Sequence, residues 1–467
     1  MLELKSKKQL GQDAWTLADS FKLVRHRGVT YIPADFETRE VAVTPDIERR
    51  MWMPMSREDI RRMAANQFQT LFGSDSELAA FDFMVAQNAQ PVDNPVDALL
   101  VKTKAGLRKL DGAGQLVEVD GQFVPNTLVP RLNEDLPAQV EVYDRIVEWV
   151  NGEENATSLL HHLATALSPG YSAVKYVLLL GEGRNGKSVL LKMMHNIFGR
   201  DNVSSVTRQM ISDQSPSVTE LNGKLLNIVY DGRAKYLEDS GTEKSLVAGE
   251  PAPIRRLYES TPTQVQTNAL FIEGLNKEPK SGDKSTALQK RLVRFQFPNV
   301  YPLDLSFEKK MLREESLGAL LALLINHYVV EEKVAELLAP TSSAIELQLE
   351  HMYANSLALQ YLKHVEETDT MGVAGLIGDS ATELCSKFKS WRLKENDIGT
   401  WAESDVLALF QPLLTTDRKA VRVNGKPRKV RVITGLKAEA QAFIDTLEGE
   451  EDGAGDSDIL DALVDAE

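Results

Sequence analysis

Residues 178–193, LLLGEGRNGKSVLLKM, set a glycine-rich turn and a lysine between two apolar runs. Gly181, Glu182, Gly183, Arg184, Asn185, Gly186, Lys187 and Ser188 fit the pattern G-x-x-x-x-G-K-[ST]. Such a match arises by chance in about one or two chains per hundred of this length, so the flanks decide. KYVLLL before it reads as a buried strand, and VLLKMMHNIF after it as a helix apolar on more than one face. That order serves phosphate binding. Glycines let the backbone turn so that its N–H groups converge on phosphate oxygens, and the helix N-terminus adds partial positive charge. Lys187 is expected to span the β- and γ-phosphates of ATP, and Ser188 to ligate Mg²⁺. A glycine turn with an exposed lysine is the plainer alternative, and the strand and helix around it weigh against that.

The block 175–302 alternates apolar strands (KYVLLL, KLLNIVY, TNALFIEGL, VRFQF) with helical or loop segments, the pattern of an α/β core. Before it, residues 1–90 are mixed, with a helix expected over SREDIRRMAANQFQTLFG and ended by Gly73. Residues 86–98 read as a linker. Residues 97–170 read as short strands broken by Gly and Asn turns, then two amphipathic helices, VEVYDRIVEWV and ATSLLHHLATAL. After the core, a helical tail is expected to end near Pro340, so the ATPase-like region spans 171–340. A smaller domain is expected over 341–447 and an acidic tail over 448–467.

The strand GKLLNIVYDG ends in Asp231, where a Walker B acid would hold Mg²⁺ directly or through water. There follow Gly249-Glu250-Pro251, Arg255-Arg256, a strand ending in Asn276, and Lys290-Arg291 before another strand. These motifs, in this order, resemble the superfamily 3 helicases, and specifically the helicase part of phage and poxvirus primase-helicases of the D5-like kind. The resemblance covers roughly residues 97–330. It implies an AAA+-like P-loop ATPase core with a strand-rich region ahead of it. It further implies that Asn276 orients the attacking water or senses the γ-phosphate. Arg291 would act as an arginine finger on a neighbouring subunit's nucleotide, which requires a ring, expected to be a hexamer. Arg294 alternates with Val293 and Phe295 in a strand and is the weaker finger. Arg255 and Arg256 would touch DNA phosphates; Tyr258 would either stack on a base or pack within a hairpin.

Two departures stand out. Asp231 is followed by Gly232 where many relatives have Glu or an acidic pair, which leaves the catalytic base open between Glu238 and Asp239. The tip following Arg256 reads Leu-Tyr-Glu-Ser instead of basic residues.

The net charge of −15 argues at first against a nucleic-acid partner. Nine of the acids lie in residues 448–467, however, leaving −6 for the rest. Residues 418–437 carry eight Lys or Arg and no acid. There AVRVNGKPRKVRVI alternates about Asn424-Gly425, a strong hairpin signal. Positions 421, 423, 430 and 432 are expected to face a core, with Arg422, Arg428, Lys429 and Arg431 projecting outward. Helices followed by such a hairpin resemble a winged helix, whose wing would lie on duplex phosphates.

The acidic tail, disordered over its first half, would solubilise the chain, dock a replication protein or shield the basic domain. One cysteine, Cys385, excludes an intramolecular disulfide and a multi-thiolate zinc site. No apolar run reaches membrane-spanning length, and the expected location is the host cytoplasm. The expected activity is an ATP-dependent DNA helicase serving phage or mobile-element replication, without primer synthesis. Single-stranded DNA would occupy the ring channel. A loader or packaging ATPase, and an ATP-switched origin-binding protein, are the alternatives.

Overall fold

The computed structural model describes residues 3–4, 7–26, 29–35, 50–68, 70–72, 74–92, 98–120, 122–169, 174–232, 241–254, 262–278, 291–411 except 395–400, 413–423, 426–437, 440–441 and 444. It comprises two units, Met1–Ala344 and Ile345–Glu467.

The centre of the first unit is a parallel sheet of five strands, β1 (Tyr176–Leu180), β2 (Val203–Ser204), β3 (Leu226–Val229), β4 (Leu270–Leu275) and β5 (Leu292–Gln296). Their spatial order is β2-β3-β4-β1-β5, so β4 lies between β3 and β1. Four of the five were legible as apolar runs, because a parallel sheet covered on both faces needs no polar alternation. The two-residue β2 was not.

Alternate residues of β1 enter two cores. Val177 and Leu179 pack with Leu190 and Leu191 of the helix after the loop, α1 (Lys187–Phe198). Tyr176 and Leu178 pack on the other face with Phe271, Leu275, Leu246 and Ile254. Helix Glu314–Asn326, which carries the apolar run GALLALL, closes the α1 side together with helices Leu136–Val150 and Glu153–Ala164.

Ahead of this core, strands Leu99–Thr103, Gly106–Leu110, Leu116–Glu118 and Thr127–Arg131 form one sheet, as the Gly and Asn turns predict. The N-terminal part differs from the sequence expectation. Helix Arg57–Phe68 stops short of residue 73, and Thr70–Leu71 pairs in parallel with Glu3–Leu4. The expected linker begins inside helix Asp75–Asn88 and continues into Gln90–Pro91, a strand beside Val24–His26. Pairings of two or three residues between distant segments leave little local pattern to read. The helical tail is three short helices, Leu305–Met311, Glu314–Asn326 and Val334–Leu337.

In the second unit, helices Leu357–Thr368, Ala381–Lys394 and Glu403–Phe410 share a core with Leu414 and Ile433. Cys385 is buried there. Strands Leu414–Val423 and Lys426–Leu436 pair antiparallel, with Val423 opposite Lys426; Asn424 and Gly425 between them lie outside the described residues. Lys429 and Arg431 are exposed and Val432 is buried, in the expected alternation. Ile433 is buried as well, beside a register shift at Thr415/Thr416. A bulge of that kind turns an extra residue inward. The side chains of Arg422 and Arg428 lie outside the description, as do residues 445–467 with the whole acidic tail. Among the described residues no helix is long and apolar enough to cross a membrane.

Candidate nucleotide-binding site

Where β1 leaves the sheet, Gly181 takes φ +145°, and its N–H donates to the Leu275 carbonyl at 3.1 Å. A Cβ at Gly181 would lie 2.4 Å from both Asn185 Nδ2 and the Phe297 carbonyl oxygen, so only glycine fits. Gly186, at φ +96°, is pressed against the Trp149 ring; a Cβ there would stand 2.5 Å from Nε1. Between them Arg184 is left-handed at φ +62°, and its carbonyl accepts from the Tyr301 N–H at 2.8 Å. Asn185 is buried and donates to the Phe297 carbonyl at 3.0 Å. The loop is therefore held from beneath by the segment after β5, while Glu182, Gly183 and Arg184 stay exposed at its rim.

Lys187 opens α1 and folds back into the loop. Its Nζ donates to the Gly181 carbonyl at 2.5 Å, the Glu182 carbonyl at 3.1 Å and Asn185 Oδ1 at 2.9 Å. Burial lowers its pKa to about 8, and the charge of Asp231 opposes that shift. The ammonium is thus charged at neutral pH, satisfied by three neutral acceptors, and within electrostatic reach of Asp231. No side chain caps the N-terminus of the 12-residue α1, so its first N–H groups stand open toward the loop. Ser188 is exposed beside them.

Two further residues reach the same edge of the sheet. Asp231 is exposed two residues past β3, and Asn276 is exposed directly past β4. Because β4 separates β3 from β1, the carboxyl ends of three adjacent strands deliver Asp231, Asn276 and the loop side by side. That edge is where open α/β sheets bind ligands. The residues suit magnesium-bound triphosphate: an anion cradle, one buried ammonium, and oxygen donors on Ser188 and Asp231. A hard cation that keeps waters and substrate phosphates needs only one or two protein oxygens. Among the described residues no cluster of three His, Cys, Asp or Glu competes as a metal site.

Arg291 lies at the other edge. Its carbonyl accepts from the Tyr176 N–H at 2.7 Å, and parallel pairing sets Leu292 beside Tyr176 and Gln296 beside Leu180. Five strand residues at ~3.3 Å each put it roughly 16 Å from its own loop. Arg294 is buried and bonded through two nitrogens to Glu278, at 2.7 and 2.9 Å. It is thereby occupied within its own chain.

Arg255, Arg256, Tyr258, Glu238, Asp239 and Lys290 lie outside the described residues. The arms on either side of the first three, Ala252–Ile254 and Thr263–Val265, pair as an antiparallel hairpin. Lys429 and Arg431 are exposed on the C-terminal hairpin, where Arg431 stands directly opposite the exposed Arg418. One residue escaped the sequence reading: Glu273, a carboxylate inside the apolar strand LFIEGL, buried beside Gly232.

Fold and site together give a strand–glycine loop–helix unit at the carboxyl edge of a parallel α/β sheet. The family of unknown function DUF5906 matches residues 179–294, an interval that runs from the end of β1 to Arg294 and contains the whole edge just described. Among solved structures, the A-form apo structure of the NrS-1 C-terminal region is similar at 12% identity with a TM-score of 0.48, over 93% of this chain and 100% of that one. The apo structure of the NrS-1 C-terminal region spanning 305–718 is similar at 12% identity with a TM-score of 0.47, over 92% and 100%. No curated protein matches.

Proposed function

We propose that this chain is a ring-forming, ATP-hydrolysing DNA helicase of the superfamily 3 type, serving replication of a phage or mobile element. The observation that carries this reading is the shared edge: Lys187, Ser188, Asp231 and Asn276 emerge from the ends of β1, β3 and β4. The strand order, with β4 inserted between the loop strand and the acid strand, supports an AAA+-like core. Lys187 would neutralise the β- and γ-phosphates, Ser188 and Asp231 would hold Mg²⁺, and Asn276 would orient the water. Mg²⁺ supplies Lewis-acid polarisation of the phosphate oxygens when bound.

The position of Arg291 supports a ring. At the amino edge of the sheet it is remote from its own cradle, so a catalytic role requires a neighbouring subunit. Head-to-tail contacts close into a ring when the rotation between subunits closes, and we assign that ring six subunits from the resemblance to superfamily 3 helicases. The exposed Lys429 and Arg431, with Arg418 directly across, form a like-charged ladder that destabilises a hairpin on its own. A duplex phosphate backbone relieves that repulsion, which supports the winged-helix reading. Arg255, Arg256 and Tyr258 are assigned to single-stranded DNA in the channel.

The test is unwinding of a forked DNA duplex with magnesium and ATP. Wild-type protein is expected to separate the strands catalytically, and Lys187→Ala to remain folded and leave them paired. ATP turnover without strand separation would assign the chain to a loader, packaging or origin-binding role instead.

A further inference from the structure

Asp231 is followed by Gly232, so the strand that supplies the metal-binding acid supplies no second carboxylate. The space beside Gly232 is nevertheless taken by one. A Cβ at Gly232 would lie 2.1 Å from Glu273 Oε1 and 2.6 Å from its carboxyl carbon. The Gly232 N–H donates to the Gly274 carbonyl at 2.9 Å, which ties this turn to the strand carrying Glu273. Glu273 therefore sets a carboxylate oxygen where the first atom of a side chain at position 232 would stand.

The rest of its surroundings fix that carboxylate in place. Glu273 is 3% exposed. Its other oxygen, Oε2, accepts from the Tyr176 hydroxyl at 3.2 Å. The buried pair Arg208–Glu243, bonded at 2.7 Å, acts on the same carboxylate, as does Glu278. Arg208 is already committed to Glu243, so among the described residues no cation is paired with Glu273 alone.

We propose that Glu273 is the general base of ATP hydrolysis, reaching the site through the gap at Gly232 in place of the acid that its neighbouring strand lacks. Oε1 takes a proton from the attacking water as the water oxygen bonds to the γ-phosphorus. The bond between that phosphorus and the β,γ-bridging oxygen breaks, and the oxygen keeps the electron pair and leaves in ADP. The proton then passes to the released phosphate or to solvent. Burial raises the Glu273 carboxyl to about 7, opposed by Arg208 and the Tyr176 hydrogen bond and reinforced by Glu243 and Glu278. A base poised near the working pH both accepts and releases its proton readily.

This inference rests on the nucleotide site proposed above, and its test keeps the two apart. Glu273→Gln preserves the shape and the acceptor for Tyr176 while removing the base. It is expected to bind a non-hydrolysable ATP analogue within about threefold of wild type and to lose about 10²- to 10⁴-fold in kcat. The decisive variant moves the carboxylate: Glu273→Ala removes it from one strand and Gly232→Asp supplies one from the other, with the tip of the Leu275 side chain, 2.5 Å from the new Cβ, having to turn aside. The double variant is expected to regain at least about tenfold in kcat over Glu273→Ala alone, whereas a purely structural Glu273 gains nothing from the transfer. Wild-type kcat in Glu273→Gln overturns the proposal. So does loss of analogue binding in that variant, and so does a double variant that binds the analogue yet stays as slow as Glu273→Ala. Wild-type turnover in Lys187→Ala would instead overturn the nucleotide site itself.

Discussion

His162 ties the stability of the unit Met1–Ala344 to pH, and the size of the effect follows from its surroundings. The ring is fully buried on helix Glu153–Ala164, edge-on to Phe295 of β5 at 5.6 Å. Its Nδ1 lies 2.8 Å from the Ser158 carbonyl oxygen. A carbonyl only accepts, so Nδ1 carries the hydrogen of the neutral ring, and Nε2 is a buried acceptor with no partner among the described residues. Protonation would add an N–H with no acceptor among the described residues, near the positive Lys175 and beside His161. Burial is the main cause that lowers its pKa from 6.5 to about 4; Lys175 and His161 add to the shift, and the Ser158 contact opposes it.

The sign follows directly. Between pH 6.5 and 4 the unfolded chain binds a proton that the folded chain refuses, so stability falls as the solution is acidified. At about 1.4 kcal/mol per pH unit, the loss attributable to His162 is about 3 kcal/mol by pH 4. Urea denaturation from pH 7.5 to 4.5 measures it, on wild type and on His162→Gln, which cannot titrate. Carboxylates titrate over the same range, so the difference between the two curves is the relevant quantity. The variant is expected to be the flatter, with the gap opening below pH 6.5. Parallel curves would refute this role for His162.

Gly186→Ala is expected to abolish binding of ATP analogues, because its φ of +96° strains alanine and the added methyl meets the Trp149 ring; calorimetric titration measures this, and binding within about twofold of wild type contradicts it. Replacing Arg428, Lys429 and Arg431 by Ala is expected to weaken duplex binding. It should also flatten the dependence of log K on log salt by about 0.9 for each phosphate no longer neutralised, with DNA-free ATP turnover retained. An unchanged slope makes the hairpin a solvated edge.

The sequence disclosed what is written locally. The strand–loop–helix unit was legible because three glycines and a lysine stand between two apolar runs, and the C-terminal hairpin because Asn424-Gly425 divides two alternating runs. The ends of β3 and β4 could be assigned because Asp231 and Asn276 terminate apolar runs. Glu273 was not legible. In LFIEGL it reads as one charge in a buried strand, and its position matters only because Gly232, 41 residues earlier on the neighbouring strand, lacks a side chain. The N-terminal strands were missed for a related reason, since pairings such as Glu3 with Thr70 depend on contacts between distant segments. Ile433 departed from its alternation because a bulge near Thr415 shifts the register, and a shift of one residue turns a side chain to the other face.

Steady-state ATP hydrolysis by mixed subunits tests the central claim most directly. Under the proposed function, a Lys187→Ala subunit would have a failed cradle and a sound finger, and an Arg291→Ala subunit the reverse. Each alone is expected to be nearly inactive, since a finger contributes about 10³- to 10⁵-fold in rate. In rings reassembled from equal amounts, roughly a quarter of the head-to-tail interfaces pair an intact cradle with an intact finger, and activity should return toward that fraction of wild type. A mixture as inactive as its parents, with subunit exchange shown independently, would contradict a nucleotide site completed by Arg291 of a neighbouring subunit.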